Sequence, residues 1–153
     1  MRKNLKNYTT SIKAEKTVME IQALLMSKGA EKLMIDCEQG KPVGITFLFN
    51  TTKGKIPVKL PARIDKVQAV FYVNKNPVSK SSLRKPLPLT NAEIAQAERT
   101  GWRNIKDWID AQIALIETEM VSIHEVFLPY VVIGDKTIFE QVESGQLRLG
   151  QAN

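Results

Sequence analysis

The chain has 153 residues, of which 43% are hydrophobic and 25% charged, and carries a net charge of +6. This is the size of one domain, able to bury about two thirds of the surface its unfolded form exposes, and the composition excludes a disordered or collagen-like chain. No apolar run approaches the roughly 18 residues a membrane span needs, and the first ten residues, MRKNLKNYTT, lack the apolar core of a secretory signal, so a cytoplasmic protein without membrane contact is expected.

The first elements alternate clearly. A short extended segment, Tyr8 to Ile12, is expected to lead into a helix from about Ala14 to Lys28, in which Val18, Ile21, Leu24 and Leu25 recur at helical spacing and Gly29 closes the last turn. Three segments rich in Ile, Val, Phe and Thr follow, at Lys32 to Glu38, Val43 to Asn50 and Lys55 to Leu60. Their connectors, Gln39-Gly40-Lys41-Pro42 and Thr51-Thr52-Lys53-Gly54, carry the residues of tight hairpins, which predicts an antiparallel meander. A second helix is expected from Ala62 or Asp65 to Val73, with Ile64, Val67 and Phe71 on one face, although Val70-Phe71-Tyr72-Val73 also reads as a strand.

Asn74 to Leu89 holds three of the seven prolines, three serines and four basic residues, Lys75, Lys80, Arg84 and Lys85, with no acid, and is expected to be an exposed loop. Thr90 and Glu93 then have capping-box spacing. Ile94, Trp102, Ile105, Ile109, Ile116 and Met120 extend the longest helix toward Met120, with a bend at Gly101. Ser122 is placed to cap a short helix through Phe127; Tyr130 to Ile133 with Gly134-Asp135 suggests a strand and a turn, and Gly145 to Asn153 a frayed tail. Together these give an α+β fold in a single domain: a three-stranded antiparallel meander covered by helices, with a long C-terminal helix.

Charge is unevenly spread. Residues 1–90 hold 17 Lys and Arg against 6 Asp and Glu, whereas residues 91–153 hold 5 against 10. This asymmetry points either to an anionic partner such as nucleic acid on the basic part, or to pairing of the two parts within the chain or between subunits of a homo-oligomer.

Groups for catalysis are scarce. His124 is the only histidine, no HExxH or CxxC spacing exists, and neither GxxxxGK[ST] nor GxGxxG occurs, so no metal, no cofactor, no nucleotide hydrolysis and no catalytic residue are expected. Ser122, His124 and Glu125 read as a helix start, and Asp107 and Asp110 as the solvated side of a helix whose buried side carries Trp108 and Ile109. Cys37, the one cysteine, has no partner for a disulfide and lies in an apolar segment that predicts a packed thiol, with a reactive thiol as the lesser alternative.

The positive signal is basic. Lys53, Lys55 and Lys59 fall at positions that place them on one strand face, Arg63 follows, and Lys75, Lys80, Arg84 and Lys85 add a second set; such rows follow a phosphate backbone. Lysines on exposed strands also deter edge pairing, so a solvated face is the competing account. Among the aromatics, Phe47, Phe49, Phe71, Trp102 and Trp108 read as core, and Tyr72 as the one best placed for stacking on a base.

The order helix, three antiparallel strands, helix over residues 14–75 resembles the double-stranded-RNA-binding domain, and the meander followed by a helix resembles the core of single-strand annealing proteins. The former family carries a KKxAK-type cluster at its second helix, where this chain has Pro61-Ala62-Arg63-Ile64-Asp65-Lys66, with an acid in the middle. Asn7-Tyr8-Thr9-Thr10, Trp102-Arg103-Asn104-Ile105-Lys106-Asp107-Trp108, Ala111-Gln112-Ile113-Ala114-Leu115-Ile116-Glu117 and Val126-Phe127-Leu128-Pro129-Tyr130 resemble stretches of small uncharacterised proteins of bacteriophages and integrated mobile elements. That resemblance implies a phage context, and with the basic rows it leads to a non-enzymatic accessory protein binding single-stranded DNA in replication or recombination. The alternative is a module that binds a host or phage protein, such as an inhibitor of a host defence complex, through the acidic helix or the basic loop.

Overall fold

The computed structural model describes residues 4–78 and 84–150. Helix α1 (Ala14–Ser27) is followed by strands β1 (Ala30–Glu38), β2 (Lys41–Thr51) and β3 (Gly54–Pro61), then by helices α2 (Ile64–Lys75) and α3 (Asn91–Glu117). The chain continues through α4 (Ile123–Phe127), a 3-10 turn at Leu128–Tyr130, a small hairpin of β4 (Val132–Ile133) and β5 (Lys136–Thr137), and α5 (Ile138–Glu143). The expected α+β architecture is present, with one correction: the long helix is central in the chain rather than C-terminal.

The sheet is the antiparallel meander β1-β2-β3. Gln39 (φ 50°) and Gly40 (φ 77°) both take the left-handed conformation that a two-residue hairpin turn needs to match strand twist. Pairing sets Ile35 opposite Ile45, Ile45 opposite Leu60 and Phe47 opposite Val58, so these side chains line one face and are covered. The other face carries Thr46 opposite Lys59, Leu48 opposite Pro57 and Asn50 opposite Lys55. A bulge at Lys32 (φ 48°) shifts the register of β1 between Glu31 and Met34. At the far side, Val58 makes an antiparallel bridge to Val131, so the C-terminal segment lies along the edge of β3.

Helix α3 packs along both α1 and α2 and sends Trp102, Ile109 and Ile113 into a core shared with Ile21, Leu25, Phe47, Phe49 and Val58. The Trp102 indole N–H donates to the Pro42 carbonyl at 3.3 Å. Phe127 is fully buried and brings ring contacts together, 5.8 Å from Phe47, 5.6 Å from Phe49 and 5.9 Å from Trp108 between centroids. Gly101 is a close-approach residue: a Cβ there would lie 2.5 Å from the Ile64 Cδ1 of α2. Helix α3 runs through it as one element of 27 residues, and the glycine gives α2 room to approach. One buried side-chain oxygen among the described residues, Thr17 Oγ1, has no hydrogen-bond partner.

Three capping boxes start helices: Thr90 with Glu93, Ser122 with Glu125, and Thr137 with Glu140. The first two match the sequence reading. Two expectations fail. Residues 6–9 form a turn rather than a strand-like lead-in, because Asn7 (φ 63°) is held by side chains of α3. Cys37 is exposed, since it lies on the edge strand β1 beyond the covered part of the sheet.

Candidate nucleic-acid interface

The two oppositely charged parts of the chain meet within the molecule. Four lysines from the basic part pair with acids of α3: Lys6 with Asp107 at 2.8 Å, Lys41 with Glu98 at 2.5 Å, Lys75 with Glu93 at 2.7 Å, and Lys28 with Glu117. Arg103 of α3 reaches Glu20 of α1 at 2.7 Å. Much of the acidity of α3 is therefore matched internally.

Asp107 is not on a purely solvated face, as its helical position suggests, but half-buried. It accepts from Lys6 and, at 2.9 Å, from the Asn7 amide, and these partners, the Lys6 ammonium first, hold its carboxyl below the usual range. Asn7 also donates to Asn104 at 2.9 Å, and Thr100 donates to the Asn7 carbonyl at 3.2 Å. The N-terminal turn is thus clamped to a helix about a hundred positions away in sequence.

The basic residues proposed from sequence divide into two groups. Lys75 is taken up: its ammonium donates to Glu93 and, at 2.9 Å, to the Pro88 carbonyl, tying the end of α2 to the start of α3. Lys55 pairs with Glu31 at 3.1 Å across the open sheet face, where Asn50 also donates to Glu31. Lys53 sits in the β2–β3 turn rather than on the strand, whereas Lys59 is on the open face with Lys55. Both are exposed, as is Lys85, and none of the three makes an ion pair among the described residues. Arg63 is exposed with its guanidinium 5.0 Å above the Phe139 ring, and Arg84 is exposed. Lys80 lies outside the described residues.

The basic loop has a fixed base. Asn76 donates to the Leu87 carbonyl at 2.9 Å and accepts from the Leu87 N–H at 2.8 Å, gripping both backbone groups of one residue. With the Lys75 bond to Pro88, these contacts close the two ends of the loop on each other.

No flat aromatic platform is presented by the sheet. Phe47 and Phe49 point into the core, Trp102 is buried, and Trp108 packs edge-on against Phe127 and Tyr130. Tyr72, the expected stacking residue, is 40% exposed, and Tyr8, which sequence reasoning passed over, is 52% exposed. Tyr8 borders a cleft of about 610 Å³ formed by the N-terminal turn, the end of α2 and the first turns of α3. His124 lies in the first turn of α4 beside the Ser122–Glu125 box. Among the described residues, no three His, Cys, Asp or Glu side chains gather as a metal-binding set, and no helix is long and apolar enough to cross a membrane.

No family model, no curated protein and no solved structure matches the chain.

Proposed function

We propose that this chain is a non-enzymatic nucleic-acid-binding accessory protein whose ligand is single-stranded DNA, in the setting of phage replication or recombination. The observation that carries the proposal is the distribution of cations after internal pairing. The acids of α3 are matched to Lys6, Lys28, Lys41 and Lys75, while Lys53 and Lys85 stay exposed with no ion pair among the described residues, and Lys59 is exposed with only the longer-range attraction of Glu140. With Arg63 and Arg84 they follow the chain from the β2–β3 turn, along β3 and past the entry of α2 to the loop at its other end. Helix α2, at 12 residues, is about 18 Å long, which spaces these cations over several nucleotides. Phosphate binding by such a row is driven by counterion release and needs no base contact.

The acidic-helix version of the alternative loses support, because the carboxylates that would meet a partner already meet lysines. A different observation keeps the interaction module in view: Met19 and Met26, seven residues apart on one side of α1, are 68% and 63% exposed, and exposed methionines suit adaptable protein contacts.

Fluorescence anisotropy with single- and double-stranded oligonucleotides at two salt concentrations tests the proposal. Replacing Lys53, Lys59 and Lys85 together by Ala is expected to weaken all sequences alike and to reduce the slope of log K against log salt by about 0.7 for each phosphate no longer neutralised. Thermal stability is expected to stay within about 0.5 kcal/mol per exposed site. Absence of binding by the unaltered chain at low salt, or an unchanged slope in the triple variant, refutes it.

A further inference from the structure

The cleft beside Tyr8 holds a charged group that forms no ion pair among the described residues, although Glu15 and Glu98 border a neighbouring hollow with it. Arg99 is half-buried on its wall, and among the described residues it has no carboxylate partner, unlike Arg103 one turn further along α3. Its orientation is nevertheless fixed. Nε donates to the Thr10 carbonyl at 3.3 Å and to Gln96 Oε1 at 3.2 Å, and Nη2 donates to the same Gln96 oxygen. Gln96 is held in turn, its amide donating at 2.9 Å to the carbonyls of both Tyr8 and Thr10. The Nε–Nη2 edge of the guanidinium is therefore occupied, and the Nη1–Nη2 edge, with parallel N–H groups, is left for an outside acceptor. That edge has the fork geometry that clasps two oxygens of a phosphate.

The remaining walls supply the rest of a ligand site. Leu5, Tyr8 and Phe71 give apolar and aromatic surface. Glu93 also lines the cleft, but its charge is met by Lys75 and by the Thr90 N–H, which hold its carboxyl below the usual range. The volume of about 610 Å³ falls within the roughly 300–1,000 Å³ of small-ligand sites.

We infer that the cleft between the N-terminal turn, α2 and α3 binds a nucleotide, with its phosphate on the free edge of Arg99 and its base against the Tyr8 and Phe71 rings. This inference rests on the nucleic-acid reading for its choice among anions carrying a planar ring. The Gln96 amide protons are already bonded to backbone, so Gln96 does not read the base edges, and the base is held chiefly by its face. The nucleotide comes either free or as the end of a strand that continues onto the loop, whose base is tied to the same α2–α3 junction.

Titration calorimetry of the full chain with dAMP, adenosine and inorganic phosphate, together with 5′-phosphorylated and 5′-hydroxyl oligonucleotides, tests this. The chain is expected to bind dAMP at least about tenfold more tightly than adenosine, the scale of a charge-assisted hydrogen bond. Arg99→Lys, which keeps the charge and loses the fork, is expected to remove most of that advantage. Tyr8→Ala is expected to weaken dAMP about tenfold and leave phosphate unchanged; because only the Tyr8 backbone is bonded to Gln96, this variant stays folded if Arg99→Lys does not. A stronger hold on 5′-phosphorylated oligonucleotide than on its 5′-hydroxyl form assigns the ligand to a strand end, and equal binding of the two beside tight dAMP binding assigns it to the free nucleotide; either supports the site. If dAMP binds and oligonucleotides do not, the cleft stands and the phosphate-track proposal falls. If dAMP fails to bind, or binds equally to the wild type, Arg99→Lys and Tyr8→Ala, the inference is overturned while oligonucleotide binding through Lys53, Lys59 and Lys85 is unaffected.

Discussion

Replacing Phe127 by Ala removes a ring that joins three parts of the molecule: the inner face of β2, helix α3 and the C-terminal segment. The side chain is fully buried and lies 5.6 to 5.9 Å from Phe49, Phe47 and Trp108, centroid to centroid. Truncation of a buried Phe costs about 3–5 kcal/mol, and edge-on aromatic pairs add roughly 0.5–1.5 kcal/mol beyond area. The upper half of the range is expected here, since the ring's aromatic neighbours sit on two separate elements, β2 and α3, and cannot all close on the gap. Against a total stability of about 5–15 kcal/mol for a domain, that is a large share. Urea unfolding followed by tryptophan emission and by far-ultraviolet circular dichroism measures it, with Phe127→Leu as control, expected to cost under about 1.5 kcal/mol beyond the ring contacts. A loss below about 1 kcal/mol in the Ala variant would mean that the segment after α3 is not part of the core.

Three further outcomes are expected from the same structure. Thr17→Val replaces a buried, unpartnered hydroxyl by a methyl of similar shape and is expected to leave stability unchanged or raise it by about 1 kcal/mol; a clear loss in urea unfolding would show that the hydroxyl has a partner. Gly101→Ala is expected to destabilise despite a helix-propensity gain of about 1 kcal/mol, and to cost less in an Ile64→Val background, where the clashing Cδ1 is gone; additivity within about 0.5 kcal/mol would refute the close approach. Because the folded Asp107 carboxyl titrates below its usual range, its stabilising effect is fully present above the ordinary Asp value and is lost as pH falls through the lowered one. The stability gap between wild type and Asp107→Asn should therefore shrink with acid, and a gap constant from pH 7 to pH 3 would show that the charge is not involved.

Local signals carried much of the fold. The hairpin residues Gln39 and Gly40, the Gly29 stop, the apolar stripe of α1 and the Thr90–Glu93 box act within a few residues of each other, so their outcome is written where it can be read. The Thr137–Glu140 box has the same spacing and was equally available as the start of α5. What was not legible depends on distance in sequence. Asn7 is forced into a turn by Asn104 and Asp107, and Asp107 looks solvated on a helical wheel that cannot include residue 7. The same holds for the candidate interface: Lys55 and Lys59 share a strand face, but only the fold brings Glu31 to one of them. Arg99 drew no attention in the sequence because its significance lies in having no acid partner among the described residues, and that is a property of the assembled surface alone.

The bridge between Val58 and Val131 has a consequence for how copies of this chain can associate. Backbone donors and acceptors along the side of a sheet invite any extended strand, and aggregation through sheets requires two such sides on each molecule. Here one side is interrupted at Val58 by the chain's own Val131, and the other, β1, is broken by the Lys32 bulge. A molecule whose two sides are both interrupted offers a second copy no long run of free backbone groups. Strand addition is therefore disfavoured at both sides, and a variant that detaches Val131 from β3 would be the one expected to associate more readily through that edge.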